Sequence, residues 1–423
     1  MNVPLEKYTS LPCQSHYLHN CEDIILLQPL KNHKKELLLF IAGIALIGFG
    51  ESIVNSTLNN FLNDTYKISS IQRTLLEFPR ELPGFLVAFI SAALFFLRSR
   101  RLAVLAGLLG SMGLLLMAFF PTTFSIFFIW IFFFSAGQHL LLPLTSSIGM
   151  ELAHSGQDGK RLGQVNSIRN FATIIGSFFI LLGFKYLHLN YMASFIIAAF
   201  VYLASAIFFY LMDPGKSHPP ALRLKLHKEY KLYYWLAVLF GTRKQIFLTF
   251  APWVLVTVFH KPITVIATLL TIGGIAGIAF QPLLGKAIDK LGEKTVLILE
   301  AVLLIFVCFG YGFAKDIFSE NVAFITVSIL FVVDQLLMSV NMARATYLKK
   351  IAIHPDHITP TLTMSVTIDH IFSISVAILG GLLWMKVGFQ YVFLFGSFIA
   401  ILNFISALQI RIPKKEQISA QIT

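Results

Sequence analysis

The chain has 423 residues, of which 56% are hydrophobic and 13% are charged. A soluble domain carries about twice that share of charged residues, so the composition excludes a set of water-soluble domains, a disordered chain and a disulfide-stapled scaffold. The net charge of +12 leaves two explanations open, a nucleic-acid surface or the inner face of a membrane.

Long apolar stretches recur along the whole chain. A helix that crosses a bilayer needs about 20 mostly apolar residues, and twelve stretches of this sequence qualify. They predict an all-α integral membrane protein with twelve transmembrane helices. In chain order, the predicted spans are 37–60, 71–97, 102–120, 123–148, 162–186, 190–212, 233–259, 263–285, 295–314, 321–346, 361–385 and 389–410.

The basic residues separate the two faces of the predicted bundle. If the chain starts inside, 22 of the 33 Lys and Arg residues lie in inner segments, five in outer loops and six within spans. The positive-inside rule then predicts that both termini are cytoplasmic, in the plasma membrane or, in a Gram-negative bacterium, the inner membrane. Orientation thus explains the net charge, and we expect no nucleic-acid partner. Residues 1–35 show no cleavable signal pattern, so the first span is predicted to direct insertion.

The longest connection divides the spans into two sets of six. It begins at Asp213-Pro214-Gly215 and continues as a basic stretch to Lys231. A shift of 200 residues sets Arg169-Asn170 on Asp369-His370, and a shift near 193 sets Gly48 beside Gly241. These matches predict an internal repeat, which is typical of transporters with a central site. The predicted segments are a cytoplasmic tail 1–36, a six-helix bundle 37–212, a cytoplasmic basic linker 213–232, a second six-helix bundle 233–410 and a cytoplasmic tail 411–423.

The loop after span eight carries a motif. It contains Gly285, Asp289, Lys290 and Gly292 in a pattern that resembles the loop signature of the major facilitator superfamily, G-x-x-x-D-[RK]-x-G-[RK]-[RK]. The resemblance covers about 37–410. It implies two pseudo-symmetric bundles that expose a central site to each side in turn, a secondary transporter without cofactor, and coupling to protons.

The sequence also departs from that family pattern. Glu293 stands where a basic residue is usual, and the first-half copy of the loop, 91–101, keeps its basic end without the glycine and the acid. The proline-glycine pattern of drug–proton antiporters is missing from 170–177. These departures weigh against a typical multidrug exporter.

Polar and charged residues lie deep within several spans. Each charge at mid-bilayer costs about 2.5–3.5 kcal/mol on insertion scales, so such residues face partners or water. The resemblance implies that spans one, four, seven and ten surround the central cavity. The predicted substrate-binding residues on these spans are Arg243, Lys244, Gln138, His139, Asn55 and Asn341.

Arg243 and Lys244 admit two interpretations. In the first they attract an anionic group, because Arg forms bidentate contacts with carboxylate or phosphate and Lys adds a point charge. In the second they belong to a structural ion-pair network with Glu51 and Asp334. Two adjacent residues point about 100° apart on a helix, so only one of them need face a cavity.

Other ionisable residues are candidates for proton coupling or for ion pairing. Coupling needs an acid whose affinity for a proton responds to burial and to a nearby cation, and histidine titrates near neutral pH. The candidates are Glu51, Asp334, Asp369, His370 and Arg169. Charges of both signs alternate at the start of span two, where a structural or gating ion-pair cluster on the outer side is favoured over a ligand site. Its predicted members are Arg73, Glu77, Arg80 and Glu81.

The remaining motifs give no further site. Cys13, His16, His19 and Cys21 lie close together in the N-terminal tail, but their spacing matches no standard zinc module, so no metal site is predicted. No phosphate-binding glycine loop, nucleophile elbow or H-E-x-x-H helix occurs, so no enzyme activity is predicted.

We therefore predict a monomeric transporter of a small solute, driven by a solute gradient with protons as the expected coupling ion, and with a weak preference for an anion. Its partners are the solute, protons and the lipid bilayer. The alternatives are a drug or metabolite exporter of the same superfamily, and a receptor or assembly factor that keeps the fold without transporting.

Overall fold

The computed structural model describes residues 18–67, 77–94, 96–214, 226–261 and 263–412. Within these residues all regular structure is helical, as α-helices and short 3-10 segments. The first half consists of α1 (Leu18–Tyr66), α2 (Glu77–Ala93), α3 (Ser99–Phe119), α4 (Phe124–Glu151), α5 (Asp158–Tyr186) and α6 (Tyr191–Leu211). The second consists of α7 (Lys231–Thr257), α8 (Ile263–Leu291), α9 (Glu293–Ile317), α10 (Glu320–Leu337), α11 (Asn341–Ile351), α12 (Ile358–Val387) and α13 (Phe389–Leu408).

The length and apolar composition of the helices indicate that most of them cross a membrane. Ten helical segments of the described chain are long and apolar enough to cross a membrane, with α10 and α11 counted as one. The two long helices that are not among the ten are α2, which spans only 17 described residues, and α7, which carries Arg243 and Lys244 near its middle. The prediction of an all-α membrane protein is confirmed, whereas the total of twelve spans and the cytoplasmic termini stay predictions.

Each half has its own apolar core. Buried side chains such as Ile53, Phe127 and Phe195 fill the first half, and Leu297 and Phe393 are among those that fill the second. Equivalent helices pack together in both: α1 contacts α5 and α6 as α7 contacts α12 and α13, and α3 contacts α4 and α6 as α9 contacts α10 and α13. The two halves therefore repeat one packing scheme, as expected from the internal repeat.

The halves meet along two seams. One runs between α5 and α8, and the other brings α12 against α2 and α4. Small residues allow the first seam to close: a Cβ on Gly159 or on Gly285 would collide with the backbone of the other. The seams join the halves from mid-bundle to the end that carries the linker between α6 and α7, which we call the linker end.

Hydrogen bonds and ion pairs fasten the linker end. The Asp289 carboxylate accepts from the backbone N–H groups of Gly159, at 2.8 Å, and of Lys160, at 2.7 Å. It thereby satisfies donors at the start of α5, where a helix dipole favours an anion. Lys349 of the second half forms an ion pair with Asp158 at 2.6 Å. These contacts hold the two halves together at that end.

The structure also explains the residues at the end of the loop motif, Gly292 and Glu293. Gly292 has φ +81°, a left-handed conformation that favours glycine, and it separates α8 from α9. The unusual Glu293 that follows is fully buried and pairs with Lys350 of α11 at 2.8 Å. An acid at the first position of α9 also suits the helix dipole, so the departure from the family pattern ties the loop to α11.

Candidate functional site

A cavity of about 310 Å³ lies between the two halves. The 3-10 segment Met338–Val340, which interrupts the helix between α10 and α11, forms part of its wall. A short 3-10 stretch within a long helix often marks a hinge. The polar side chains on the wall are Thr145, Ser146, Asn166, Arg169, Tyr233, Lys244, Ser339, Asn341, Arg344, Ser365, Asp369 and His370.

Lys244 and Asp369 form an ion pair on the cavity wall. Lys244 Nζ of α7 lies 2.5 Å from Asp369 Oδ2 of α12, and both side chains are partly exposed. Ser373 Oγ donates to Asp369 Oδ1 at 3.2 Å. Gly241 permits this arrangement, because a Cβ there would overlap the Asp369 carboxylate. The carboxylate therefore has one cation and one hydroxyl as partners.

Arg169 of α5 reaches the cavity from the first half. Its Nη2 donates to both oxygens of Glu51 in α1, at 2.8 and 2.6 Å, and Gln138 Nε2 adds a bond to the same carboxylate at 3.3 Å. Arg169 lines the cavity, whereas Glu51 and Gln138 lie behind it. This half thus presents a cation to the cavity and keeps the acid in the packed interior.

Arg344 provides a third cation on the wall. It pairs with Glu300 of α9 at 2.8 Å, and its guanidinium lies over the ring of Phe240, 4.8 Å from the centroid. Glu300 is fully buried and does not reach the cavity. Arg344 lies within the predicted span 321–346, but only the three-dimensional packing identifies Glu300, 44 residues away, as its partner.

Arg243 and Lys244 are separated by the turn of α7. Arg243 is 2% exposed, pairs with Asp334 of α10 and lies outside the cavity wall, unlike Lys244. Asp334 is fully buried as well. Of the two predicted interpretations, a structural pair with Asp334 describes the environment of Arg243, while Lys244 has the position expected of a ligand-binding residue.

A second polar cluster lies beside the cavity, at the seam between the halves. Glu81 of α2, His139 of α4 and His370 of α12 each offer a side-chain atom within 4.8 Å of the others. His370 Nδ1 is 3.0 Å from Glu81 Oε2, and the two imidazole rings are 4.7 Å apart between centroids. The sequence groups Glu81 with the outer cluster, because only its neighbours on the same helix can be recognised from sequence, whereas His139 and His370 come from other helices.

The other predicted residues have different positions. Asn341 lines the cavity, whereas Asn55 is exposed on α1 away from this wall. Arg80 lies on α2, where its backbone carbonyl accepts from Ser135. Arg73 lies outside the described residues, as do Cys13 and His16, and the side chains of Glu77, His19 and Cys21 are not described. Asn166 and Tyr233 were not predicted, because one uncharged polar residue in an apolar span carries little signal.

Comparison with protein families gives one match. Residues 39–352 match the model of the Major Facilitator Superfamily. No curated protein matches the sequence significantly. The family match covers most of both halves, including the motif loop around Asp289.

Solved structures resemble the fold over nearly the whole chain. The fucose:proton symporter FucP of E. coli shares 14% identity, with 88% of this chain and 97% of that chain covered and a TM-score of 0.70. The proton:xylose symporter XylE shares 16% identity, with 93% and 99% covered and a TM-score of 0.67. A bacterial homologue of the iron transporter ferroportin, in an outward-facing state, shares 12% identity, with 88% and 98% covered and a TM-score of 0.69. At such identities the likeness concerns the fold alone.

Proposed function

This chain belongs to the Major Facilitator Superfamily, and we propose that it is a secondary active transporter that carries a small anionic solute together with a proton by alternating access. The single observation that carries this proposal is the cavity between the halves: its described wall is lined by Arg169, Lys244 and the mostly buried Arg344, but by only one carboxylate, Asp369. The transporter fold supplies the movement, and these residues supply the chemistry.

The charge distribution around the cavity supports an anionic solute. Glu51 and Glu300 compensate Arg169 and Arg344 from behind, where the solute does not reach. The surface that the solute meets is therefore more positive than the site as a whole. Amide, hydroxyl and phenol groups of Asn166, Asn341 and Tyr233 add hydrogen-bonding groups around the same space.

The Lys244–Asp369 pair offers a direct coupling mechanism. When Asp369 is ionised, it pairs with Lys244. When Asp369 binds a proton, the ammonium group of Lys244 becomes available to a carboxylate or phosphate of the solute. The proton and the anion then enter together without adding net charge to the cavity. Each favours binding of the other, as thermodynamic linkage requires.

The closed linker end fits one stage of this cycle. Asp289 and Lys349 join the halves there, so a solute in the cavity is separated from that side by packed helices. Movement of the halves that breaks these contacts would open the cavity toward the linker end. The 3-10 segment beside the cavity is a suitable place for the wall to adjust.

The proposal is tested first by binding. Purified protein in detergent is heated in the presence of small carboxylates, phosphates, neutral sugars and organic cations, because a bound solute raises the unfolding temperature by mass action. We expect stabilisation by a small anion, stronger at lower pH. The variant Lys244→Gln should lose this stabilisation, whereas Lys386→Gln, at an exposed position in the last turn of α12, should retain it.

Transport is then measured in liposomes with the stabilising anion and a pH gradient. Proton-driven uptake supports the proposal. Stabilisation by a neutral sugar or a hydrophobic cation that is insensitive to Lys244→Gln would contradict the anion site and favour another carrier of the superfamily. Binding without flux in either direction would contradict transport and favour a receptor.

A further inference from the structure

We propose that Glu81, His139 and His370 form a binding site for a divalent transition-metal ion that joins the two halves of the protein. The sequence predicts no metal site, and the proposed transport of an anion does not require one. The inference rests on side chains from three helices that are distant in sequence and converge at the seam between the halves.

The distances suit metal coordination after a small adjustment. Zinc and similar ions hold nitrogen and oxygen ligands at about 2.0–2.2 Å, which places ligand atoms about 3–3.5 Å apart. The three ligand atoms lie within 4.8 Å of one another, and His370 Nδ1 is already 3.0 Å from Glu81 Oε2. Rotation of side chains is therefore sufficient to complete the set.

The surroundings of His139 are those of a metal ligand. Its Nδ1 lies 2.9 Å from the backbone carbonyl oxygen of Ser135 and 3.0 Å from the hydroxyl oxygen of the same residue. Donation by Nδ1–H to that carbonyl leaves Nε2 with a free lone pair, and histidines that bind metals commonly have their second nitrogen fixed in this way. Ser135 thereby selects the tautomer that can coordinate an ion.

His370 supplies an independent observation. It is only 4% exposed, and its Nδ1, the nitrogen that faces Glu81, makes no hydrogen bond among the described residues. A buried polar atom without a partner costs free energy, and a bound ion would remove that cost. Gly84 opens the space in which both imidazoles meet, since a Cβ at this position would overlap His370 and crowd His139.

The local charge permits a cation to bind. Glu81 contributes one negative charge, and its side chain is 39% exposed, which leaves a route for an ion. Lys244, which lines the same cavity as His370, is neutralised by Asp369. Two imidazoles and one carboxylate suit Zn²⁺, Co²⁺ or Fe²⁺, and a three-ligand set leaves a coordination position for water or another anion.

The origin of the ligands predicts the consequence of binding. Glu81 and His139 belong to the first half and His370 to the second. An ion bound to all three would hold α2 and α4 against α12, so exchange between conformations that separate these helices should be slower when the metal is bound. Metal binding would therefore stabilise the contact between the two halves at this seam.

The test uses the full-length protein, purified with a histidine-free tag and with Cys13, His16, His19 and Cys21 replaced by Ser or Asn. These replacements remove a second source of metal ligands in the tail. Binding of Co²⁺ is followed by its visible absorption, and binding of Zn²⁺ by calorimetry, without any added solute. We expect one ion per chain, and an affinity at least 10-fold lower in Glu81→Gln, His139→Asn and His370→Asn.

The control is His260→Asn, at an exposed turn whose left-handed backbone also accepts Asn. Unchanged unfolding temperatures without metal show that each variant folds. Absence of stoichiometric binding, or equal affinity in the three ligand variants and His260→Asn, would overturn the proposal. Either result leaves the anion-transport proposal to be judged by its own binding experiment.

Discussion

The two halves place an ion pair at the same position of the repeat, but with opposite polarity. Glu51 of α1 pairs with Arg169 of α5, and Lys244 of α7 pairs with Asp369 of α12. The helices α1 and α5 of the first half correspond to α7 and α12 of the second. The acid of one pair therefore occupies the place that the cation has in the other.

The surroundings of the two pairs differ more than their positions. Glu51 accepts three side-chain hydrogen bonds, two from Arg169 and one from Gln138, and it lies outside the cavity wall. Asp369 has one cation and one hydroxyl, and both members of its pair line the cavity. The first pair is enclosed by further hydrogen bonds, whereas the second lies where the proposed solute would reach it. The same repeat thus places one cation in an enclosed pair and the other in a pair that lines the cavity.

The largest effect is expected when the enclosed pair is broken. Arg169→Gln would leave the Glu51 carboxylate, which is 9% exposed, without a cation. Breaking a buried ion pair costs about 3–5 kcal/mol, and the value here should fall near 3 because Arg169 is partly exposed. The midpoint of chemical unfolding in detergent measures this loss. The double variant Glu51→Gln/Arg169→Gln should recover most of it, and a double variant no more stable than Arg169→Gln would show that the pair is not the cause.

The next effect concerns the pair that lines the cavity. Lys244→Gln removes the ammonium that the anion needs, and a hydrogen bond to a charged group contributes about 1.5–3 kcal/mol, which corresponds to about 10- to 100-fold in affinity. Stability should fall as well, but by less than in Arg169→Gln, because the Asp369 carboxylate that is left without a cation lines the cavity, where it can be hydrated or bind a proton. Titration with the stabilising anion measures the affinity, and Lys386→Gln serves as the matched control. A large loss of stability with unchanged affinity would make Lys244 a structural residue like Arg169.

The difference between the pairs marks what could be predicted from sequence. Apolar stretches predict the membrane helices, because backbone groups in a bilayer must be satisfied within a helix. Because Glu51, Lys244 and Asp369 are charges within these stretches, each is predicted to face a partner of opposite charge or water. The partners are not predictable in this way, since Lys244 and Asp369 are 125 residues apart and meet only because α7 packs against α12. Glu81 shows the same limit, as its contact with His370 crosses between the halves.

A smaller effect should appear in the dependence of anion binding on pH. In the wild type, the affinity should rise as the pH falls, by up to about tenfold per pH unit, because one proton binds with each anion. Asp369→Asn removes the carboxylate that is proposed to bind the proton and leaves Lys244 available, so the anion affinity of this variant should be independent of pH. Calorimetric titrations at several pH values compare this variant with Asp316→Asn, an exposed acid at the end of α9. Equal pH dependence in both variants would assign the proton to another group.

The smallest effect is expected at Gln138, which the sequence suggests as a substrate ligand. In the structure its amide donates to Glu51 at 3.3 Å and lies outside the cavity wall. Gln138→Leu removes this bond but leaves both contacts from Arg169, so the free energy of unfolding should fall by only about 1 kcal/mol. Anion affinity and its pH dependence should match the wild type, since the pair that lines the cavity is untouched. A loss of anion affinity without loss of stability would instead place Gln138 in contact with the solute, and the first half would then bind substrate through more than the cation of its enclosed pair.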